Sequence, residues 1–259
     1  MILGILQARV SSTRLPGKVL LPILGKPMLR HQAERILKCK LLDKFILATS
    51  NDGQDDAILD ICRDLQIPCY RGSLTDVLDR FYQAARGYAP DHVVRLTGDC
   101  PLIDPTIVDQ LIATYLSEPT DYMSNCVEPT FPDGLDVEAF RFHCLEEAWR
   151  EARQPSQREH VTLFINRQPE RYRVRHFKGK IDLSHLRWTV DESSDFEFAK
   201  RVYEELYPTN IAFGMNDVLE LLERCPELQT INANIARNEG LVRSVDQEPA
   251  VSFKSVESQ

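Results

Sequence analysis

The sequence predicts an α/β fold: a mostly parallel central sheet with helices on both faces and an inserted subdomain. Three observations carry this expectation. Short runs rich in Ile, Val and Leu alternate with longer amphipathic segments, the rhythm of strands joined by crossover helices. Pro27 and Pro105 stand at the start of two such segments, where a first helical turn accepts proline. The chain has 259 residues, 43% hydrophobic and 27% charged, an ordinary balance for one large globular unit.

In chain order, Ile2–Leu6 reads as the first strand, an apolar run flanked by polar turns. Pro27–Lys38 then reads as a helix, Lys44–Thr49 as a strand, and Asp55–Leu65 as a helix. In the last of these Ile58, Leu59, Ile61, Cys62 and Leu65 keep helical spacing. Asp76–Tyr88 (helix), Val93–Leu96 (strand) and Pro105–Leu116 (helix) continue the alternation. After Asp121 the rhythm changes. Val137–Phe142 and Tyr172–Phe177 read as strands of a different direction, with helices at Leu145–Arg153 and Glu159–Asn166 between them. Residues 121–180 are therefore read as an insertion within one domain, 1–237. Arg187–Val190 reads as a strand and Phe196–Leu206 as a final helix. Residues 238–259 are polar and aperiodic, a flexible tail.

Composition excludes several function classes. Lys plus Arg is 31 against 39 Asp plus Glu, a net charge of −8, so no nucleic-acid partner is expected. No apolar run approaches the roughly 18 residues of a membrane span, and the apolar start lacks the basic flank of a signal peptide. Seven Cys, an odd number with no C-x-x-C, indicate reduced thiols and a cytoplasmic location.

Charge placement supplies the sharpest signal. No Asp or Glu precedes Glu34, whereas Arg9, Arg14, Lys18, Lys26 and Arg30 all do. The loop Gln7–Lys18 directly follows the first strand and offers Ser11, Ser12, Thr13 and three cations. Such a loop at a strand's carboxyl end suits a polyphosphate, bonded by backbone N–H groups and hydroxyls and neutralised by Arg and Lys. Its spacing fits neither a Walker A loop nor a dinucleotide fingerprint.

Asp99, in Arg95-Leu-Thr-Gly-Asp-Cys-Pro101, closes the strand Val93–Leu96 on the same side. A carboxylate facing a phosphate at ~4 Å is repelled by about 4 kcal/mol at an effective dielectric of ~20. Asp99 is therefore read as a Mg²⁺ ligand. Asp191, at the end of Arg187–Val190, is the second candidate, because Mg²⁺ usually takes one or two carboxylates plus phosphate oxygens. Asp195 reads as a start-of-helix residue. Asp133-Gly134 is an ordinary turn signal, beside which Asp136 can face an acceptor substrate. His160 is the histidine weighed as a ligand contact. No nucleophile motif appears.

These residues together resemble the opening signature of cytidylyltransferases that make CMP-activated acidic sugars, the CMP-Kdo synthetase and acylneuraminate cytidylyltransferase group. Within it the chain is most similar to the spore coat polysaccharide biosynthesis protein F branch. The shared features are Ala8-Arg9, Ser12-Thr-Arg-Leu-Pro-Gly-Lys18, Gly25-Lys-Pro27, Thr97-Gly-Asp-Cys-Pro101, Asp133-Gly-Leu-Asp-Val-Glu138, Arg158-Glu-His-Val161 and Trp188-Thr-Val-Asp191. The resemblance implies a Rossmann-like nucleotide-diphospho-sugar transferase fold and Mg²⁺ on Asp99 and Asp191. It puts the triphosphate of CTP against Arg9, Ser12, Arg14 and Lys18, with Thr97 and Gly98 beside it. It puts the base near Ala8, Thr49, Ser50 and Arg71. Arg14, Lys18 and Asp99 are the expected catalytic groups. Asp136, Glu138, Arg158 and His160 are expected at an acidic, sugar-like acceptor, and the middle section is expected to form a homodimer contact. Two other functions stay open: a nucleotide-sugar-dependent glycosyltransferase, disfavoured because the chain lacks a D-x-D motif, and an inactive nucleotide-binding partner.

Overall fold

A computed structural model describes residues 1–235 and residue 237. The first half runs β1 (Ile2–Gln7), a two-residue hairpin β2 (Pro22–Ile23) and β3 (Lys26–Pro27), α1 (Met28–Ile36), β4 (Lys44–Ser50), α2 (Asp56–Asp64), β5 (Cys69–Gly72), α3 (Val77–Arg86), β6 (His92–Thr97) and α4 (Pro105–Ser117). The second half runs β7 (Tyr122–Ser124), β8 (Glu138–Arg141), α5 (Phe142–Glu151), α6 (Pro155–Glu159), α7 (Leu163–Asn166), β9 (Val174–His176), α8 (Ser193–Leu206) and α9 (Met215–Arg224).

The main sheet has seven strands in the order β5-β4-β1-β6-β8-β7-β9. Neighbours pair in parallel except at β8, which runs antiparallel to both β6 and β7. Alternation along β1 explains the two faces. Leu6 packs into one cluster with Leu29, Ile58 and Leu111 of α1, α2 and α4. Leu3 and Ile5 pack into another with Leu78, Phe81 and Leu145 of α3 and α5. A third cluster gathers Trp188, Val190 and the apolar faces of α8 and α9. After β1 the chain builds outward to β4 and β5, then returns to set β6 on the other side of β1. Beyond the carboxyl ends at that reversal, α/β sheets hold their ligands. Gln7 and Thr97 are register partners there.

Residues 121–180, read as an insertion, add β8, β7 and β9 to the edge of the main sheet. Other elements differ from the sequence expectation. The expected strand Arg187–Val190 is an extended segment with one bridge, Asp133 to Arg187. Its backbone bonds turns instead of a neighbouring strand: Trp188 N–H donates to Asp133 O (2.6 Å) and Val190 N–H to Asp99 O (2.8 Å). The expected helix Glu159–Asn166 is split into α6 and α7 where buried Val161 takes a left-handed φ of 40°. Phe196–Leu206 is not the last helix, since α9 follows with Val218, Leu221 and Leu222 buried. The short strands β5 and β7 carried no pattern long enough to read. Residues 238–259, the expected tail, lie outside the described residues.

The turn Asp133–Asp136 is set by Gly134, whose φ is +109° and whose missing Cβ would lie 2.4 Å from Thr189 N and 2.5 Å from Trp188 C. Both the dihedral and the contact exclude a side chain. Gly134→Ala is expected to lower unfolding free energy by roughly 1–3 kcal/mol, read by denaturant titration. An unchanged midpoint would show that this turn is free to move.

Candidate active site

The loop after β1 is anchored from below. Asp55, 1% exposed, accepts Val10 N–H (2.7 Å) on one oxygen and Thr49 Oγ (2.8 Å), Ser50 N–H (3.0 Å) and Ser50 Oγ (2.5 Å) on the other. Burial alone would push this carboxyl up, but the four hydrogen bonds outweigh it and hold it below the usual carboxylate range. The loop then turns on itself, with Ser12 and Gly17 N–H both donating to Val10 O. Arg14 and Lys18 are thereby presented over the ends of β1 and β6.

Opposite the loop stand two acids. Asp99 accepts Thr97 Oγ (2.5 Å), which fixes its rotamer. Asp191 is held across the cleft because Asp99 O accepts Val190 N–H. Lys18 Nζ lies between them, 2.9 Å from Asp191 Oδ1, 3.9 Å from Asp99 Oδ2 and 2.7 Å from Val190 O. Arg14 Nη2 also reaches Asp191, at 2.9 Å. Burial pushes the Asp191 carboxyl up, yet Lys18 and Arg14 more than offset it and the net shift is downward. Arg187 supports the cluster from within. It forks onto Asp195 with two bonds of 2.9 Å and reaches Asp133 at 3.1 Å and Asp191 at 3.3 Å.

Two chambers meet at these groups. The first, about 370 Å³, is lined by Ala8, Arg9, Ser12, Lys18, Gly98 and neighbouring residues. The second, about 450 Å³, is lined by Asp133, Asp136, Glu138, Thr162, Arg167 and neighbouring residues. Arg14, Arg95, Thr97, Asp99, His160 and Asp191 line both, so the chambers form one cleft with a shared wall.

The structure thus gathers Ala8, Arg9, Ser12, Arg14, Lys18, Thr97, Gly98, Asp99 and Asp191 around the first chamber. Asp136, Glu138 and His160 line the second. Thr49, Ser50 and Arg71 line neither. The two hydroxyls are fully buried against Asp55, and Arg71 is engaged by Asp56 (2.7 Å), Asp52 O (2.6 Å) and Ser50 O (3.0 Å). Arg158 likewise turns from the cleft, bonding Asp76 through Nε (3.0 Å) and Nη2 (2.5 Å) and tying α6 to α3. Glu138 is the hub of a buried network. It accepts Tyr122 Oη (2.6 Å) and Thr162 Oγ (2.5 Å) and forms an ion pair with Arg95. Asp195 holds the start of α8 as expected, accepting Asp191 and Glu192 N–H at 3.0 Å each. Sequence reasoning missed Arg80, Arg95, Thr162, Arg167 and Arg187 as cleft residues. Arg95 sits inside the expected strand Val93–Leu96, where period-2 alternation puts it on the opposite face of the sheet from Val94 and Leu96.

The two acids bracketing an ammonium are a hard-oxygen donor set that already accommodates a cation, so the residues fit a divalent ion completed by phosphate oxygens. Asp121, His143 and Cys144 also lie close together, but Asp121 is spent on Arg173, with two bonds of 3.0 Å from its Nε and Nη2. Among the described residues no helix is long and apolar enough to cross a membrane.

A family model described as cytidylyltransferase matches residues 3–231. The uncharacterized protein MJ1063 of Methanocaldococcus jannaschii is 36% identical over 236 residues, 90% of this chain and 95% of that protein. The spore coat polysaccharide biosynthesis protein SpsF of Bacillus subtilis is 32% identical over 236 residues, 88% and 97% of the two chains. Among solved structures, a cytidylyltransferase from Leptospira borgpetersenii superposes with a TM-score of 0.85 at 30% identity, covering 91% of this chain and 98% of that one.

Asp136 provides a pH test of the second chamber. Burial raises its carboxyl to about 7, against the pull of Arg237, whose Nη2 lies 2.8 Å away. A folded pKa above the unfolded one means the native state binds the extra proton. The resulting penalty is absent below about 4, grows as pH rises, and is complete above about 7. Asp136→Asn removes it. The melting temperature of the variant relative to wild type is expected to climb between pH 4 and pH 8. A pH-independent difference would show that Asp136 is ionised throughout.

Proposed function

Because this chain belongs to the cytidylyltransferase family, we propose that it transfers the cytidylyl group of CTP to an acidic sugar or related hydroxylated acceptor, releasing pyrophosphate. The observation that carries this reading is the shared wall of the two chambers. A triphosphate in the first and a hydroxyl in the second would meet at Arg14, Asp99 and Asp191.

The acceptor oxygen attacks the α-phosphorus in line, a new P–O bond forms, and the bond to the β-phosphate breaks. Negative charge is brought together and then moves onto the leaving pyrophosphate, so positioning and neutralisation carry the rate. Lys18 and Arg14 already lie within ion-pair distance of Asp191 and can pass to phosphate oxygens without crossing the cleft. Ser12 and the backbone of the loop hold the triphosphate. Asp99 and Asp191 would bind a magnesium ion, which supplies Lewis-acid polarisation of the α-phosphate when present.

In the second chamber Arg167 is exposed and forms no ion pair among the described residues. It is free to meet the carboxylate of an acidic acceptor. Arg95 and Arg187, by contrast, are neutralised by their own acids. The likeness to a spore coat polysaccharide protein supports a place in making surface polysaccharide.

The test is a matrix of four nucleoside triphosphates against acidic sugars, scored by pyrophosphate. Lys18→Ala and Asp99→Ala are each expected to lower turnover by about 100-fold or more, with melting temperatures near wild type. Near-wild-type release by both variants would overturn the assignment.

A further inference from the structure

Of the six residues that line both chambers, five are already engaged. Arg14 and Arg95 are cations held by acids. Thr97 spends its hydroxyl on Asp99, and Asp99 and Asp191 bracket Lys18. The sixth is His160, whose Nε2 is buried without a hydrogen-bond partner among the described residues. A carboxylate oxygen of Glu159 lies 3.9 Å from it, beyond hydrogen-bond reach. The side chain as a whole is 26% exposed, so the ring borders the cleft while this nitrogen is shielded from water. An unpaired buried polar atom is costly, and a ligand can relieve the cost.

The turn carrying His160 is held from both sides. Two residues before it, Arg158 Nε binds Asp76 at 3.0 Å; two residues after it, Thr162 Oγ donates to Glu138 at 2.5 Å. Between them buried Val161 takes its φ of 40°, an outlier for a β-branched side chain. Such a conformation persists only where its surroundings impose it, and such conformations cluster at working sites.

Resting on the reading that CTP fills the first chamber and a hydroxylated acceptor the second, we propose that His160 is the general base of the transfer. With the ring proton on Nδ1, Nε2 takes the proton of the acceptor hydroxyl. The oxygen's electron pair forms the new bond to the α-phosphorus, and the bond to the β-phosphate breaks with its pair leaving on pyrophosphate. The imidazolium then returns its proton to water. Burial lowers the imidazole below its ordinary 6.5, aided by Arg95 of β6 and Arg167 after α7 and opposed by Glu159 on its own turn and Glu138 of β8. The ring is therefore neutral at pH 7 and ready to accept a proton.

The experiment measures pyrophosphate release by the full chain with CTP, magnesium and either N-acetylneuraminate or 3-deoxy-manno-octulosonate, from pH 5 to pH 8, for wild type, His160→Gln and His160→Ala. CTP affinity by calorimetry and melting temperature accompany each variant. His160→Gln keeps a hydrogen-bonding side chain but cannot take a proton. It is expected to lower kcat by about 100- to 10,000-fold, with KM, CTP affinity and melting temperature near wild type. The ratio of wild-type to His160→Gln kcat is expected to shrink as pH falls through the imidazole's pKa. Taking the ratio cancels the titration of Asp136, which lines the second chamber. Added imidazole is expected to raise the turnover of His160→Ala. Near-wild-type kcat in His160→Gln, a ratio independent of pH, or no rescue by imidazole would each overturn the base and leave the transferase reading standing. Wild type that releases no pyrophosphate with either sugar acid would overturn transfer to such acceptors, and the base with it.

Discussion

The cleft depends on one ammonium held between two carboxylates. Lys18 comes from the loop after the first strand, Asp99 from the turn after β6, and Asp191 from a segment 173 residues further along the chain than Lys18. Each is brought in by a different crossover, and no local propensity connects them. Without the cation, two half-buried acids would face each other across the cleft. The ion cluster therefore joins the loop after β1 to the C-terminal segment at the mouth of the cleft. Arg187 repeats the device one layer deeper, where Asp133, Asp191 and Asp195 converge on one guanidinium that is 8% exposed.

Much of this was legible in the sequence for a physical reason. A loop that must bind polyanions excludes acids, and the exclusion runs from Met1 to Ala33 in a chain that is acidic overall. Of the cations in that stretch, Arg9, Arg14 and Lys18 reach the first chamber, while Lys26 and Arg30 pair with Glu34. Asp99 was readable because a strand of apolar residues ends just before it. The four parallel strands β5, β4, β1 and β6 follow from the same alternation, although β5 is too short to announce itself.

What stayed hidden depends on contacts between distant segments. Thr49 and Ser50 sit at the end of a core strand, a position that suits ligand contact and buttressing equally. Only Asp55, folded back beneath them, decides for buttressing. Arg158 lies in a motif that carries the family resemblance, yet its partner is the cap of α3, Asp76. Arg80 reads as one more polar residue of an amphipathic helix. The structure leaves it 2% exposed on the wall of the first chamber. Arg187–Val190 reads as a strand because Trp188 and Val190 alternate with Thr189, but the cluster they fill lies under α8 and the backbone bonds two turns instead.

Most charges of the cleft are paired with one another, and this shapes how it can bind. Arg14 and Lys18 have Asp191, Arg95 has Glu138, and Arg187 has three acids. At Arg14 and Lys18 a triphosphate would therefore meet cations that already have partners, and the gain there is the difference between two sets of ion pairs, not the sum of the new ones. Preformed pairs keep the cations in place before substrate arrives, which removes reorganisation from the chemical step. On the proposed reading the exchange would take Arg14 and Lys18 from Asp191 and leave it the 3.3 Å contact with Arg187. The oxygen so released is the one that would hold a divalent ion, which would couple filling of the first chamber to assembly of the shared wall.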